Sequence, residues 1–127
     1  MGIFAKCMKL LLQKYIAENI KEIKSELSIH LTELEITKVF RICKSLTYRS
    51  FYFKDEIVEY IEDEFPNIQT ADKIFKLLIS YSILIYRNSL GKLYFNYREN
   101  NLESTELDDM QFTLHKCVYS YFNPNQL

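Results

Sequence analysis

Few residues of this chain combine type and spacing in a way that could do chemistry. His115 stands two residues before Cys117, the residue types of a general base and a nucleophile. In a strand that spacing merely places both side chains on one face, and no third group that would orient the imidazole is identifiable, so the pair does not make a catalytic site. His30, near a predicted helix junction, reads as a surface or capping residue. Glu106, Asp108 and Asp109 could hold a cation, but the Asp-rich spacing and the glycine of a calcium loop are missing, and a solvated acidic loop is the simpler reading. Cys7, Cys43 and Cys117 are odd in number, far apart and without C-x-x-C spacing, which argues for reduced, partly buried thiols and against a disulfide framework or a zinc site. The chain is therefore expected to be non-enzymatic, with no cofactor and no metal.

Cations suited to phosphate oxygens are the better prospect. Lys73 and Lys76 lie one turn apart on a predicted helix, and Arg87, Lys92 and Arg98 follow on a predicted hairpin. From Ile83 to Arg98 there are three positive charges and no acid. These five residues are the expected nucleic-acid contacts, by positioning on the backbone more than by reading bases. Two acidic stretches oppose them: Asp55, Glu56, Glu59, Glu62, Asp63 and Glu64 before the helix, and Glu99, Glu103, Glu106, Asp108 and Asp109 after the hairpin. Near the same face they would repel phosphates. Of the hairpin aromatics, only Tyr94 is expected to be free to stack on a base.

The elements that must position these residues follow from periodicity. Apolar residues from Met8 through Leu11, Leu12, Tyr15, Ile16, Ile20 and Ile23 to Leu27 recur at three- and four-residue steps, predicting a long amphipathic helix over Lys6 to Leu27. Thr32 and Glu35 form a capping box ahead of a second helix that runs to about Thr47, with Leu34, Ile36, Val39, Phe40, Ile42, Cys43 and Leu46 on its stripe. Ser50 to Phe53 suits a brief strand, Asp55 to Phe65 a third helix stopped by Pro66, and Thr70 can cap a fourth whose outer face is Asp72, Lys73, Lys76 and Ser80. Ile83 to Tyr86 and Leu93 to Tyr97 then read as two strands around the turn Arg87 to Gly91. Glu99 to Asp109 shows no apolar pattern and reads as an acidic loop, and Met110 to Phe122 returns to the core as a strand or a short helix.

That order predicts a mainly α fold with a small β-hairpin, an α+β winged helix-turn-helix carrying an extra N-terminal helix. The expected domain is a single unit over 1–127: an N-terminal helix in 1–30, a winged-helix core in 31–98, and an acidic loop and tail in 99–127 packing back. The run Met8 to Leu46, the segment LYFNYR at Leu93 to Arg98 and the late QFTLHKCVYSYFN at Gln111 to Asn123 resemble the C-terminal winged-helix region of bacterial P-loop ATPases of antiphage defence and related conflict systems. The shared pattern comprises a strand at Ile83 to Tyr86, the turn Gly91-Lys92, an aromatic strand ending in Arg98, a polar stretch and a closing segment around His115. The resemblance implies a winged-helix module acting in a defence or regulatory assembly, beside a partner ATPase or effector. It implies no ATPase activity here, because glycine occurs only at 2 and 91 and a G-x-x-x-x-G-K-[ST] loop is missing.

Composition sets the outer bounds. A chain of 127 residues, 48% apolar, suffices for one core and is too short for two ordinary domains. A net charge of −1 favours no partner in bulk. No apolar run reaches membrane-spanning length and the start turns polar too soon for a signal peptide, so no membrane association and a cytoplasmic location are expected. DNA is the expected partner. The competing reading is a protein-docking or dimerisation subunit, drawing on the nine Lys or Arg against five acids up to Ser50 and on a first helix that could pair with its copy in a homodimer.

Overall fold

The computed structural model describes residues 2–87, 93–94 and 104–126. The fold is mainly helical with a small antiparallel sheet, as expected. Helix α1 spans Ile3–Leu27, but its core face is only Ile16, Ile20, Ile23 and Leu27. Met8, Leu11, Leu12 and Tyr15, expected on the same buried stripe, are exposed. Periodicity reveals that a helix has an apolar side; how far along it the body of the protein extends is set by what packs there.

Helix α2, Glu33–Leu46, begins as its capping box predicts. The Glu35 backbone N–H donates to Thr32 Oγ1 at 3.2 Å, and the Thr32 N–H donates to Glu35 Oε1 at 2.9 Å. The hydrogen bonds from Thr32 hold the Glu35 carboxyl below its ordinary 4.5, with Lys73 and Lys38 adding charge attraction. Leu34, placed on the inner stripe by sequence, faces solvent.

The strand expected at Ser50 to Phe53 contracts to one residue. Tyr52 bridges Phe112, exchanging N–H···O bonds of 2.8 and 2.7 Å. Helix α3 follows at Lys54–Glu64 with Ile57 and Ile61 inward, and Glu56 Oε1 accepts the Phe53 N–H at 3.1 Å. Helix α4 spans Ile68–Ser80. Its cap is Asn67, not Thr70: Asn67 Oδ1 accepts the Thr70 N–H at 3.1 Å, so the helix starts three residues earlier than expected. It ends where Ser82 takes a left-handed φ of 56° and the Ile83 N–H reaches back to the Leu78 carbonyl at 2.9 Å, closing the last turn.

Strand β1, Leu84–Arg87, pairs antiparallel with β2, Leu93–Tyr94, through Tyr86↔Tyr94 and Arg87↔Leu93. The expected continuation of the second strand through Tyr97 lies outside the described residues. On its other edge β1 pairs with β3, Gln111–Leu114, in the register Leu84↔Leu114 to Arg87↔Gln111. The sheet order is thus β2-β1-β3, and the tail expected to return as a strand or a helix supplies both, since α5 follows at Lys116–Phe122. The end of the acidic stretch is a 3₁₀ helix, Ser104–Asp109, rather than a loop without apolar purpose: Leu107 is buried and Asp108 lies 3.6 Å from Lys54 Nζ. Helix α5 packs against α1 and α2 and shuts the core from behind. Phe112 sits at its centre, with the rings of Phe75 and Tyr86 at 5.3 and 5.6 Å. The buried side chains form one cluster.

Candidate nucleic-acid interface

Helix α4 turns most of its circumference inward. Ala71, Ile74, Phe75, Leu77, Leu78 and Ile79 are buried, which leaves a narrow polar strip of Gln69, Asp72, Lys73, Lys76 and Ser80. Lys73 and Lys76 are exposed on it as expected, but Asp72 lies 3.0 Å from Lys76 Nζ and halves the charge the pair can offer. Arg87 is also exposed, at the end of β1, where its Nε donates to Gln111 Oε1 at 3.1 Å beside Ser50 and Phe51. Lys73 is near enough to Glu35 of α2 to act on its carboxylate. Lys92 and Arg98 lie outside the described residues.

The larger concentration of cations lies where the sequence did not direct attention. Helices α1 and α2, joined by the turn at 28–32, line a groove of about 630 Å³ together with Tyr121 and Phe122 of α5. Ile36, Phe40, Tyr121 and Phe122 supply its apolar surface, and Lys21, Lys24, Arg41 and Lys44 its charge, against the single carboxylate of Glu33. Ser25, Ser28 and Thr37 add hydroxyls. Lys24 Nζ stands 4.9 Å from the Phe40 ring centre and 5.9 Å from that of Tyr121, a cation–π arrangement that holds the ammonium over the aromatic floor. The Phe40 and Tyr121 rings meet edge to face at 6.2 Å. Arg41 is paired with Glu64 at 3.1 Å. Among the described residues, Lys21 and Lys44 have no carboxylate within salt-bridge distance. The signal in the sequence was two i, i+3 cation pairs, Lys21/Lys24 and Arg41/Lys44, on helices joined by a short turn. Nothing in either helix alone shows that these faces meet across an aromatic floor that Tyr121 and Phe122 complete beside Phe40.

The acids of α3 divide in two. Glu56 is paired with Arg49 and Glu64 with Arg41, which neutralises them on the α2 side. Glu59, Glu62 and Asp63 remain around Tyr60 as an acidic hollow of about 570 Å³.

His115 and Cys117 do not face each other as base and nucleophile. His115 is the cap of α5, and its Nδ1 accepts the Cys117 backbone N–H at 3.1 Å. Burial lowers the His115 pKa and raises that of the Cys117 thiol, favouring both uncharged forms. His30 Nε2 is 2.7 Å from Tyr81 Oη. Among the described residues, no three His, Cys, Asp or Glu side chains converge to hold a metal ion, and no helix is long and apolar enough to cross a membrane. Comparison with protein families, with curated proteins and with solved structures finds no match to this chain.

Proposed function

We propose that this chain is a non-catalytic winged-helix module that binds nucleic acid, with the α1–α2 groove as its principal contact. The order α2, Tyr52 bridge, α3, α4, β1 and β3 supports the winged-helix reading, with Tyr52 entering the sheet beside the last strand. One observation carries the functional reading: the groove sets four cations, one of them paired with Glu64, around an aromatic floor whose most exposed ring is Tyr121. Phosphates are held by Lys and Arg, and bases stack on rings, so this combination suits a single strand better than a rigid duplex. The strip on α4 and Arg87 would add weaker, backbone-only contacts. The setting in a defence or regulatory assembly rests on the resemblance of the sequence alone.

The test is fluorescence anisotropy with labelled single-stranded and duplex DNA over about 50 to 200 mM salt. Binding should weaken steeply with salt and favour the single strand. Lys24→Ala/Lys44→Ala should lower affinity and reduce the salt slope by about one for each lysine lost, whereas Lys73→Ala/Lys76→Ala should have a smaller effect. Absence of binding at the lowest salt would defeat the reading in favour of protein docking, for which the hollow around Glu59, Glu62 and Asp63 would be the place to look.

A further inference from the structure

The first half of α1 carries an apolar stripe that nothing among the described residues covers. None of residues 3–15 is buried, yet Phe4, Met8, Leu11 and Tyr15 are 80, 54, 63 and 61% exposed. Their spacing of four, three and four residues aligns them along one side of the helix. The core stripe Ile16, Ile20, Ile23 and Leu27 lies roughly a third of a turn around the axis, so the two stripes serve different surfaces. Four large side chains in a row, two of them aromatic, exceed what monomeric proteins ordinarily leave in water. Three to four turns of helix are also marginal without tertiary support.

We propose that this stripe pairs with the same stripe of a second copy, the two helices running antiparallel about a two-fold axis between Met8 and Leu11. In this register Phe4 lies against the partner's Tyr15 and Met8 against the partner's Leu11, and each contact occurs twice. Lys6 and Lys9 project away from the stripe, and Lys14 comes beside the partner's Ala5, so no lysines are forced together. The stripe ends in charge: its next positions are Glu18 and Glu22. Antiparallel pairing carries Glu18 to the start of the partner's helix. There Gly2 supplies no side-chain cap and the first turn contains no acid, while the unbonded N–H groups form the positive end of the helix. Each copy thus supplies the carboxylate that the other's helix start lacks. A helix lying on an anionic membrane would instead press the same two glutamates against like charge.

The geometry leaves room for both bodies. Ile16, where the body of the protein begins, passes the partner's Ile3, so the two bodies sit at opposite ends of the paired segment. Lys21, Lys24 and the rest of the groove lie beyond it. The contact buries roughly 1,000 Å² in total, near the lower end of specific interfaces, and a dissociation constant of about micromolar order is expected. This pairing does not depend on the nucleic-acid reading.

Sedimentation velocity of the full chain over about 0.05 to 50 µM, bracketing that dissociation constant, tests it. The wild type should shift from monomer to dimer, and Met8→Glu/Leu11→Glu should remain monomeric with an unchanged circular dichroism spectrum. The register is tested by Phe4→Cys/Tyr15→Cys in a Cys7→Ser background, which should form a disulfide-linked dimer on mild oxidation, while Phe4→Cys/Cys7→Ser should not. Parallel helices would bring Cys7 to Cys7, whereas the antiparallel register separates them by roughly 7 Å along the axis. A dimer linked through native Cys7 would therefore overturn the arrangement. A wild type that stays monomeric throughout, a dimer that survives Met8→Glu/Leu11→Glu, or a monomer that co-sediments with phosphatidylserine vesicles would overturn the proposal, the last in favour of a lipid surface.

Discussion

At the scale of single residues, His115 shows how a side chain with the composition of a catalyst can be committed to structure. Its Nδ1 accepts a backbone N–H at the start of α5, which requires an unprotonated nitrogen on that side of the ring. Burial disfavours the imidazolium as well, so its pKa in the folded protein is below the ordinary 6.5. Because the unfolded chain takes up the proton first, the stability His115 contributes is fully present above 6.5. It declines as pH falls through the interval between 6.5 and the lower folded value. Thermal unfolding followed from about pH 8 to pH 5 should show that decline. His115→Asn keeps an acceptor for the cap and cannot titrate, so the part of the acid loss due to His115 should vanish in it; an identical pH profile in the variant would remove His115 as the cause. Cys43 illustrates the opposite case of a reactive type made inert, since complete burial pushes its thiol up to about 12.

At the scale of elements, local rules and distant pairing carry different weight. The Thr32–Glu35 box is a local device, and Thr32→Ala should cost about 1 kcal/mol without changing the fold. Phe112 is non-local: its backbone joins β3 to Tyr52, and its ring packs on Phe75 from α4 and Tyr86 from β1. Phe112→Ala should cost about 3 to 5 kcal/mol, because the cavity opens where three elements meet. Urea denaturation of both variants checks the contrast, and equal losses would contradict it. The same division explains which elements were readable in advance. The box that starts α2 and the Pro66 stop act within four residues and left a clear pattern. The start of α4 differs from the expectation because both Asn67 and Thr70 are good caps, and the choice depends on Ile68, Gln69 and Thr70 being drawn into the helix. The short strand at Ser50 to Phe53 shrank to a single bridge because its partner is sixty residues away, in a tail whose strand and helix could not be told apart by pattern.

At the scale of the whole molecule, the proposed dimer and the proposed groove make a joint prediction. Two grooves tethered through paired α1 helices would bind a long single strand with avidity, and a short one singly. Met8→Glu/Leu11→Glu should leave affinity for a short oligonucleotide unchanged and weaken binding to one long enough to span both copies by about tenfold or more, measured by anisotropy. Equal weakening at both lengths would mean that the stripe itself touches the strand. Net charge could not indicate any of this: a value of −1 hides cations gathered between α1 and α2 and acids gathered on α3. The amino-acid sequence by itself determined α1 to α4, their order and the β1–β2 pairing, because helix periodicity, caps and stops act over a few residues. It also placed Lys73, Lys76 and Arg87 on exposed positions. Only the tertiary structure decided that β3 from the tail lies on the other edge of β1, that the groove has an aromatic floor, and that the stripe from Phe4 to Tyr15 is left uncovered by the described residues. The first two depend on which surfaces meet across long separations in the chain, and a helical pattern specifies an apolar side without naming what will cover it.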